Sequence, residues 1–391
     1  MTTLTTTDAL TAFCDQARRA PFVTVDTEFL RERTYFPQLC LIQMALPGAP
    51  GSEPGDPAGA VLVDPIAGDL DLAPFFALLA DQSVVKVLHA ARQDVEIFWT
   101  QGGVIPAPLF DTQVAAMVCG FGEQAGYETL VRGICRASLD KSSRFTDWSR
   151  RPLSEAQKAY ALADVTWLRA IYRALSQRLA ETGRQAWVAE EMAVLTDPAT
   201  YVTAPEDAWL RVKTRTNSRQ FLTLVRELAR FREIQAQERD IPRNRVLKDD
   251  ALLEIASAKP RSADDLGRLR LLQREARKDP LRAGILAAVE TALSCPHDRQ
   301  ARPRVGPQRA PADPALAELL RVLLKARADA AGVAQKLIAP VADLDAIAAG
   351  ARDVPALKGW RHEVFGADAE RLCDGRIALS ARDGTVHTVA L

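Results

Sequence analysis

The stretch Phe22-Val23-Thr24-Val25-Asp26-Thr27-Glu28-Phe29 constrains the fold more than any other part of the sequence. Apolar and β-branched residues lead into it, which predicts a short buried strand. The strand ends in two carboxylates at i and i+2. Side chains alternate along a strand, so Asp26 and Glu28 project from one face. Paired carboxylates repel each other and resist desolvation, and a bound cation relieves both penalties. An isolated Asp-x-Glu more often marks a solvated strand end, so the meaning of this pair depends on what the rest of the chain supplies.

Over roughly the first 185 residues, strand-like and helix-like segments alternate. Leu39–Leu46 and Ala60–Asp64 read as strands separated by a Pro/Gly-rich loop at 47–59, and three successive strands of this kind predict antiparallel pairing at the start. A helix is expected over 68–80, a buried strand over Val84–His89, a helix from Arg92 to Thr100, and a short extended segment at Phe110-Asp111-Thr112. Helices over 112–119 and 126–134 lead to a polar loop at 137–148. Asp94 emerges beyond the C-terminal end of the strand at 84–89, where open α/β sheets place ligands, although a first-turn acid also suits a helix dipole. Ser154 and Gln157 form a capping box that starts a helix running to about Arg178. On it, Tyr160 and Asp164 stand at i and i+4, on one face.

The second half is helical and basic. The chain as a whole has zero formal charge, but residues 1–204 hold 17 Lys/Arg against 24 Asp/Glu and residues 205–310 hold 23 against 15. An acidic part beside a basic part suits a polyanionic substrate gripped by one domain and processed by another. Apolar residues recur at helical spacing over Phe221–Ile234. The basic residues Arg239, Arg243, Arg245 and Lys248 cluster at a loop and the next helix start, a pattern suited to the phosphates of a polyanion. A weak internal repeat at an offset of 92 aligns Leu228 with Leu320, Ala236 with Ala328, Val246 with Ile338 and Leu252 with Leu344. The second copy has lost most of the basic residues, retaining Arg327 and Lys336, which predicts a role that is structural or closes the molecule around the substrate. The Pro-rich stretch at 296–314 separates the copies as a linker, and Asp383-Gly384 predicts a type I′ hairpin over Ile377–Val389.

The six cysteines have no metal-ligand spacing and the four histidines are dispersed, so neither a disulfide framework nor a zinc site is expected. No apolar run of about 18 residues occurs, and the polar N-terminus lacks a signal-peptide pattern. A cytoplasmic location is the expectation.

In combination these motifs resemble the ribonuclease D family, the tyrosine subgroup of the DEDD superfamily of 3′→5′ exonucleases. Val25-Asp26-Thr27-Glu28-Phe29, His89 to Asp94 and Tyr160-x-x-x-Asp164 match its three exonuclease motifs in order. Phe110-Asp111-Thr112-Gln113, Leu139-Asp140-Lys141-Ser142 and Asp147-Trp148-x-x-Arg151-Pro152-Leu153 are also similar to the family. The segment from Trp209 resembles the helicase-and-RNase-D C-terminal (HRDC) domain.

The resemblance implies a multi-domain chain. An α/β ribonuclease-H-like exonuclease domain with a mixed sheet (1–204) is followed by an all-α HRDC domain (205–295), a linker (296–314) and a second HRDC-like bundle with a C-terminal hairpin (315–391). It implies that Asp26, Glu28, Asp94 and Asp164 hold two Mg²⁺ or Mn²⁺ ions, with Asp26 bridging, and that Tyr160 orients or deprotonates the attacking water, positioning being favoured because a free phenol titrates near pH 10. A four-carboxylate donor set without thiolate or imidazole favours these hard cations. The implied activity is exoribonucleolysis releasing nucleoside 5′-monophosphates from RNA, above all tRNA precursors with 3′ trailers, by a monomer that binds no membrane. A DNA-directed exonuclease of the same superfamily and an inactive RNA-binding protein are the alternatives.

Overall fold

The computed structural model describes residues 1–140, 146–272, 278–302 and 313–391. Lys141 and Ser142 of the resemblance, and most of the expected linker, lie outside the described residues. The chain forms two compact units. The first draws on Met1–Glu28, Cys40–Thr200 and the C-terminal residues, the second on Phe29–Leu39 and residues 201–302.

The first unit is built on a six-stranded sheet. Its strands are β1 (Thr2–Leu4), β2 (Phe22–Leu30), β3 (Gln38–Ala45), β4 (Ala60–Val63), β5 (Val85–Leu88) and β6 (Leu109–Asp111), in the order β1-β4-β3-β2-β5-β6. β3 and β4 pair antiparallel, as expected of the hairpin, while β1–β4, β2–β5 and β5–β6 are parallel, giving a mixed sheet. β2 lies inside the sheet, which is why its leading residues Phe22, Val23 and Val25 are buried. β1, in the Thr-rich N-terminus, was not expected from sequence. It takes its place by pairing Thr2–Leu4 with Val61–Val63.

Helices α1 (Thr7–Ala17), α2 (Ala73–Ala80), α3 (Arg92–Gly102), α4 (Thr112–Val118), α5 (Tyr127–Leu130), α6 (Glu155–Thr182) and α7 (Gln185–Leu195) connect and flank the strands. The helix expected over 68–80 is shorter, starting at Ala73 with Pro74 in its first turn, since proline suits the first turn of a helix and not its interior. α6 opens on the capping box: Gln157 N–H donates to Ser154 Oγ at 3.2 Å and Ser154 N–H to Gln157 Oε1 at 3.0 Å. It packs on the sheet through Leu168 and Tyr172, the latter against Phe22 and Phe110 with ring centroids 4.6 and 4.9 Å apart. The Pro/Gly-rich loop is tied to α6 by Arg169, which donates to the Asp56 and Ala58 carbonyls, both at 2.8 Å. Gly55 in that loop sits under Trp167 at φ +86°, and a Cβ there would come within 2.5 Å of the indole.

The C-terminal residues carry α-helices over Pro314–Ala331, Gln335–Ile338 and Val341–Ala348, then helical turns to Cys373 and a two-stranded hairpin of β7 (Ile377–Arg382) and β8 (Thr385–Ala390). Asp383 and Gly384 both have positive φ, 51° and 75°, the requirement of a type I′ turn. These residues join the first unit through α7. Trp360 stacks on Trp187 at 4.8 Å and 14°, Arg361 pairs with Glu191 at 2.5 Å, and Ala334 N–H donates to Met117 O at 3.0 Å. Arg327 is tied to Asp368 and to Thr388, and Lys336 pairs with Glu123 at 3.6 Å.

The second unit is helical: α8 (Arg219–Glu238), α9 (Arg243–Val246), α10 (Asp249–Ala258), α11 (Ala263–Gly267) and α12 (Leu281–Leu293) close around Leu224, Val225, Leu228, Leu252, Ile255 and Ile285. The offset of 92 carries α9 onto Gln335–Ile338 and the start of α10 onto Val341, and Leu228, Leu320, Val246, Ile338, Leu252 and Leu344 are all buried. The repeat in sequence is therefore a repeat of three helices in order. The second unit also holds the excursion Phe29–Leu39 between β2 and β3. Tyr35 packs against its core, and the Tyr35 and Phe36 N–H groups donate to Asp240 at 2.9 Å each.

Candidate active site

The carboxylates reach one place because side-chain hydrogen bonds from β2 and α5 to the backbone of α6 fix that helix over β2. The buried Thr24 hydroxyl donates to Val165 O at 2.8 Å, and Tyr127 Oη donates to Ala163 O at 2.9 Å. Each bond holds the backbone one residue away from Asp164. Ligand oxygens of Asp26, Glu28 and Asp164 consequently lie within 4.8 Å of one another. Asp94 stands outside this set of three. It is buried in the first turn of α3, and the Thr27 hydroxyl donates to its Oδ1. Thr27 had no expected role in the sequence. The signal was present, since it is a hydroxyl between the two acids on the opposite face of β2.

Electrostatically the carboxylates of the cluster oppose one another. Burial raises the Glu28 carboxyl to about 9, with the charges of Asp26, Asp164 and Asp94 adding to the effect. Asp26 is raised by burial and by Asp164, and Asp94 by burial and by Asp26, the latter opposed by the Thr27 hydrogen bond. Carboxylates driven this far toward protonation are a site prepared for cations, because a divalent ion reverses both the desolvation and the repulsion. An all-oxygen donor set fits Mg²⁺ or Mn²⁺. Tyr160, on the same face of α6, is raised above the ordinary phenol range by burial and by the charges of Asp164, Glu28 and Asp26, and hydrogen-bonds to Asp164. A phenol raised in this way is protonated at neutral pH.

The walls are locked in place. Asp111 caps α4 through Gln113 N–H at 2.8 Å and also accepts from Ala90 and Ala91 N–H at 3.0 and 2.8 Å. That clamp holds Ala90 at φ +55°, left-handed for a residue with a Cβ, and so sets the turn between His89 and α3. Arg151 grips Asp64 with two nitrogens at 2.5 and 2.7 Å and donates to the Trp148 and Cys40 carbonyls. Trp148, fixed in this way, lies against Tyr160 with ring centroids 6.1 Å apart. The result is a cleft of about 490 Å³ lined by Asp26, Glu28, His89, Tyr127, Tyr160 and Asp164 among others.

Residues 1–180 match the family model described as 3′-5′ exonuclease, and residues 221–283 the model of the HRDC domain. A ribonuclease D of Jannaschia sp. (strain CCS1) is 58% identical over 387 residues, covering 99% of each chain. The chain belongs to the ribonuclease D family. A ribonuclease D of Granulibacter bethesdensis is 50% identical, over 97% of this chain and 94% of its own. The crystal structure of Escherichia coli RNase D, described as an exoribonuclease involved in structured RNA processing, superposes with a TM-score of 0.81 at 30% identity, over 96% of this chain and 99% of that one. One HRDC domain is matched, on the second unit.

The four basic residues of this ribonuclease D-family chain divide. Arg239, Arg245 and Lys248 are exposed. Arg243 is half-buried: it pairs with Glu233 through two nitrogens, donates to Tyr35 Oη at 2.8 Å, and lies over the Tyr35 ring at 4.6 Å. Its guanidinium holds the excursion Phe29–Leu39 within the second unit. Among the described residues, no helix is long and apolar enough to cross a membrane.

Proposed function

We propose that Asp26, Glu28, Asp94, Asp164 and Tyr160 are the catalytic machinery of a 3′→5′ exoribonuclease that removes 3′ trailers from tRNA precursors in the cytoplasm, acting as a monomer. The observation that carries it is the convergence of Asp26, Glu28 and Asp164 within 4.8 Å on the face that Tyr160 shares. Asp26, Glu28, Asp94 and Asp164 would hold two divalent cations, Mg²⁺ or Mn²⁺, which would supply a lowered water pKa and charge neutralisation at the reacting phosphate. Tyr160 orients the water by hydrogen bonding, consistent with a phenol held protonated. Water oxygen forms the new bond to phosphorus and the 3′-oxygen leaves. Each turn therefore releases a nucleoside 5′-monophosphate and leaves a fresh 3′-hydroxyl.

The exonuclease domain at 1–204 would then be followed by an HRDC domain at 205–295, whose Arg239, Arg243, Arg245 and Lys248 face the RNA backbone. In this set the exposed three would carry the phosphate contacts and Arg243 would shape the surface that presents them. A linker at 296–314 and a second HRDC-like bundle at 315–391 complete the chain. The matching order of three helices at an offset of 92 supports that tandem reading. The bundle's role is structural, since Arg327 and Lys336 are engaged by acids. Digestion of a pre-tRNA bearing a 3′ trailer, mapped at nucleotide resolution beside a DNA oligonucleotide of matched sequence, tests the substrate. The trailer should shorten one nucleotide at a time toward the mature end, faster than the DNA. Preference for DNA would overturn the assignment.

A further inference from the structure

His89 is the one imidazole in the cleft, and the structure fixes which of its nitrogens faces outward. The Thr112 hydroxyl, fully buried, has a single proton and donates it to Leu88 O at 3.0 Å. Its oxygen is therefore the acceptor for His89 Nδ1, also at 3.0 Å. The ring is the Nδ1–H tautomer, and Nε2 carries a free lone pair. Among the described residues Nε2 has no hydrogen-bond partner, while His89 lines the cleft beside Tyr127, whose own hydroxyl is committed to Ala163 O. The Asp111 clamp and the left-handed Ala90 hold the turn that aims the ring.

We propose that His89 Nε2 accepts a hydrogen bond from a ribose hydroxyl of the 3′-terminal nucleotide, making His89 a substrate-contacting residue that reads ribose at the scissile end. The proposal rests on the exoribonuclease reading of the cleft. The other strong acceptors there are the carboxylates suited to cations, and among the described residues the His89 nitrogens lie outside the cluster of ligand atoms that Asp26, Glu28 and Asp164 form. Burial holds the ring neutral, down at about 4, so it accepts throughout the working range. Ribose hydroxyls occur on every RNA residue whatever the base. An acceptor aimed at the 2′-hydroxyl adds specificity for RNA, one aimed at the 3′-hydroxyl adds specificity for a free 3′ end, and neither adds preference for sequence.

The test uses the full-length protein with saturating Mn²⁺ and one RNA sequence ending in a ribo-, 2′-deoxy- or 3′-deoxynucleotide. Single-turnover rates are measured for wild type and His89→Phe, which keeps a ring against Tyr127 but cannot accept. Binding of the same three ends in chelator is followed by fluorescence anisotropy. Wild type should favour the ribo end over one of the deoxy ends by about three- to tenfold, the effect of one neutral hydrogen bond, and the arm affected names the hydroxyl. His89→Phe should lose that preference while matching wild type on the affected deoxy end. Equal slowing on all three ends would assign His89 a merely structural part and overturn the proposal. So would equal wild-type rates on all three, a result that needs no variant. A preference that moves when the terminal base is exchanged would place the contact on the base and overturn it too. Failure of wild type to trim any end would instead refute the exoribonuclease reading itself.

Discussion

Thr27→Val isolates the support beneath Asp94. Valine is nearly isosteric with threonine and suits a strand, so β2 should form as before. The variant removes the hydroxyl that donates to Asp94 Oδ1 between two largely buried side chains. Hydrogen bonds to charged groups contribute about 1.5–3 kcal/mol, and one pKa unit corresponds to about 1.4 kcal/mol. The Thr27 bond lowers the Asp94 carboxyl against the upward push of burial and Asp26. Its loss should raise that carboxyl further. Protons then compete better with cations, and metal affinity should fall by about 10- to 100-fold, the usual effect of removing a partner that orients a ligand. Isothermal titration with Mn²⁺ reads the affinity. Trimming of a 3′-labelled RNA from pH 5 to pH 9 should show the acidic limb displaced upward. A folded variant with wild-type Mn²⁺ affinity and an unmoved limb would refute the reasoning that Thr27 opposes protonation of Asp94.

The raised carboxyls also set how stability depends on pH. Glu28 titrates at 4.5 when unperturbed and about 9 in the fold. Its protonated form therefore contributes stability that is complete below pH 4.5 and lost as pH rises toward 9. In chelator the melting temperature should fall across that window, and added Mg²⁺ or Mn²⁺ should restore more of it at pH 9 than at pH 5; a metal response independent of pH would contradict the cluster's electrostatics. In the second unit, Glu233 is fully buried under Arg243 and Tyr35. Glu233→Ala leaves Arg243 half-buried without its carboxylate partner, with only Tyr35 among the described residues to face it, and should cost about 3–5 kcal/mol by chemical denaturation. Glu233→Ala combined with Arg243→Met should recover much of that loss, and an additive double variant would show that the two do not interact.

The sequence carried the site further than it carried the fold. Asp26, Glu28, Tyr160 and Asp164 were legible because strand and helix periods alone put each pair on one face. The capping box and the Asp383-Gly384 turn were legible because their chemistry is local. What brings Asp164 to Asp26 was not: Thr24 to Val165 and Tyr127 to Ala163 link residues far apart in the chain, and no periodicity reports them. Arg243 looked like one of four equivalent cations, because the partner that distinguishes it, Tyr35, lies about 200 residues away. β1 was hidden for the related reason that its strand character comes from pairing with β4 and not from its Thr-rich composition.

The most direct test of a carboxylate-held two-metal exoribonuclease is single-turnover hydrolysis of a 3′-labelled RNA by wild type and Asp26→Asn, each with Mn²⁺ and with excess chelator. Wild type with metal should release labelled nucleoside 5′-monophosphate, while chelated wild type and Asp26→Asn under either condition should release none and still bind the RNA. Hydrolysis by Asp26→Asn at the wild-type rate, or by wild type in chelator, would contradict the account.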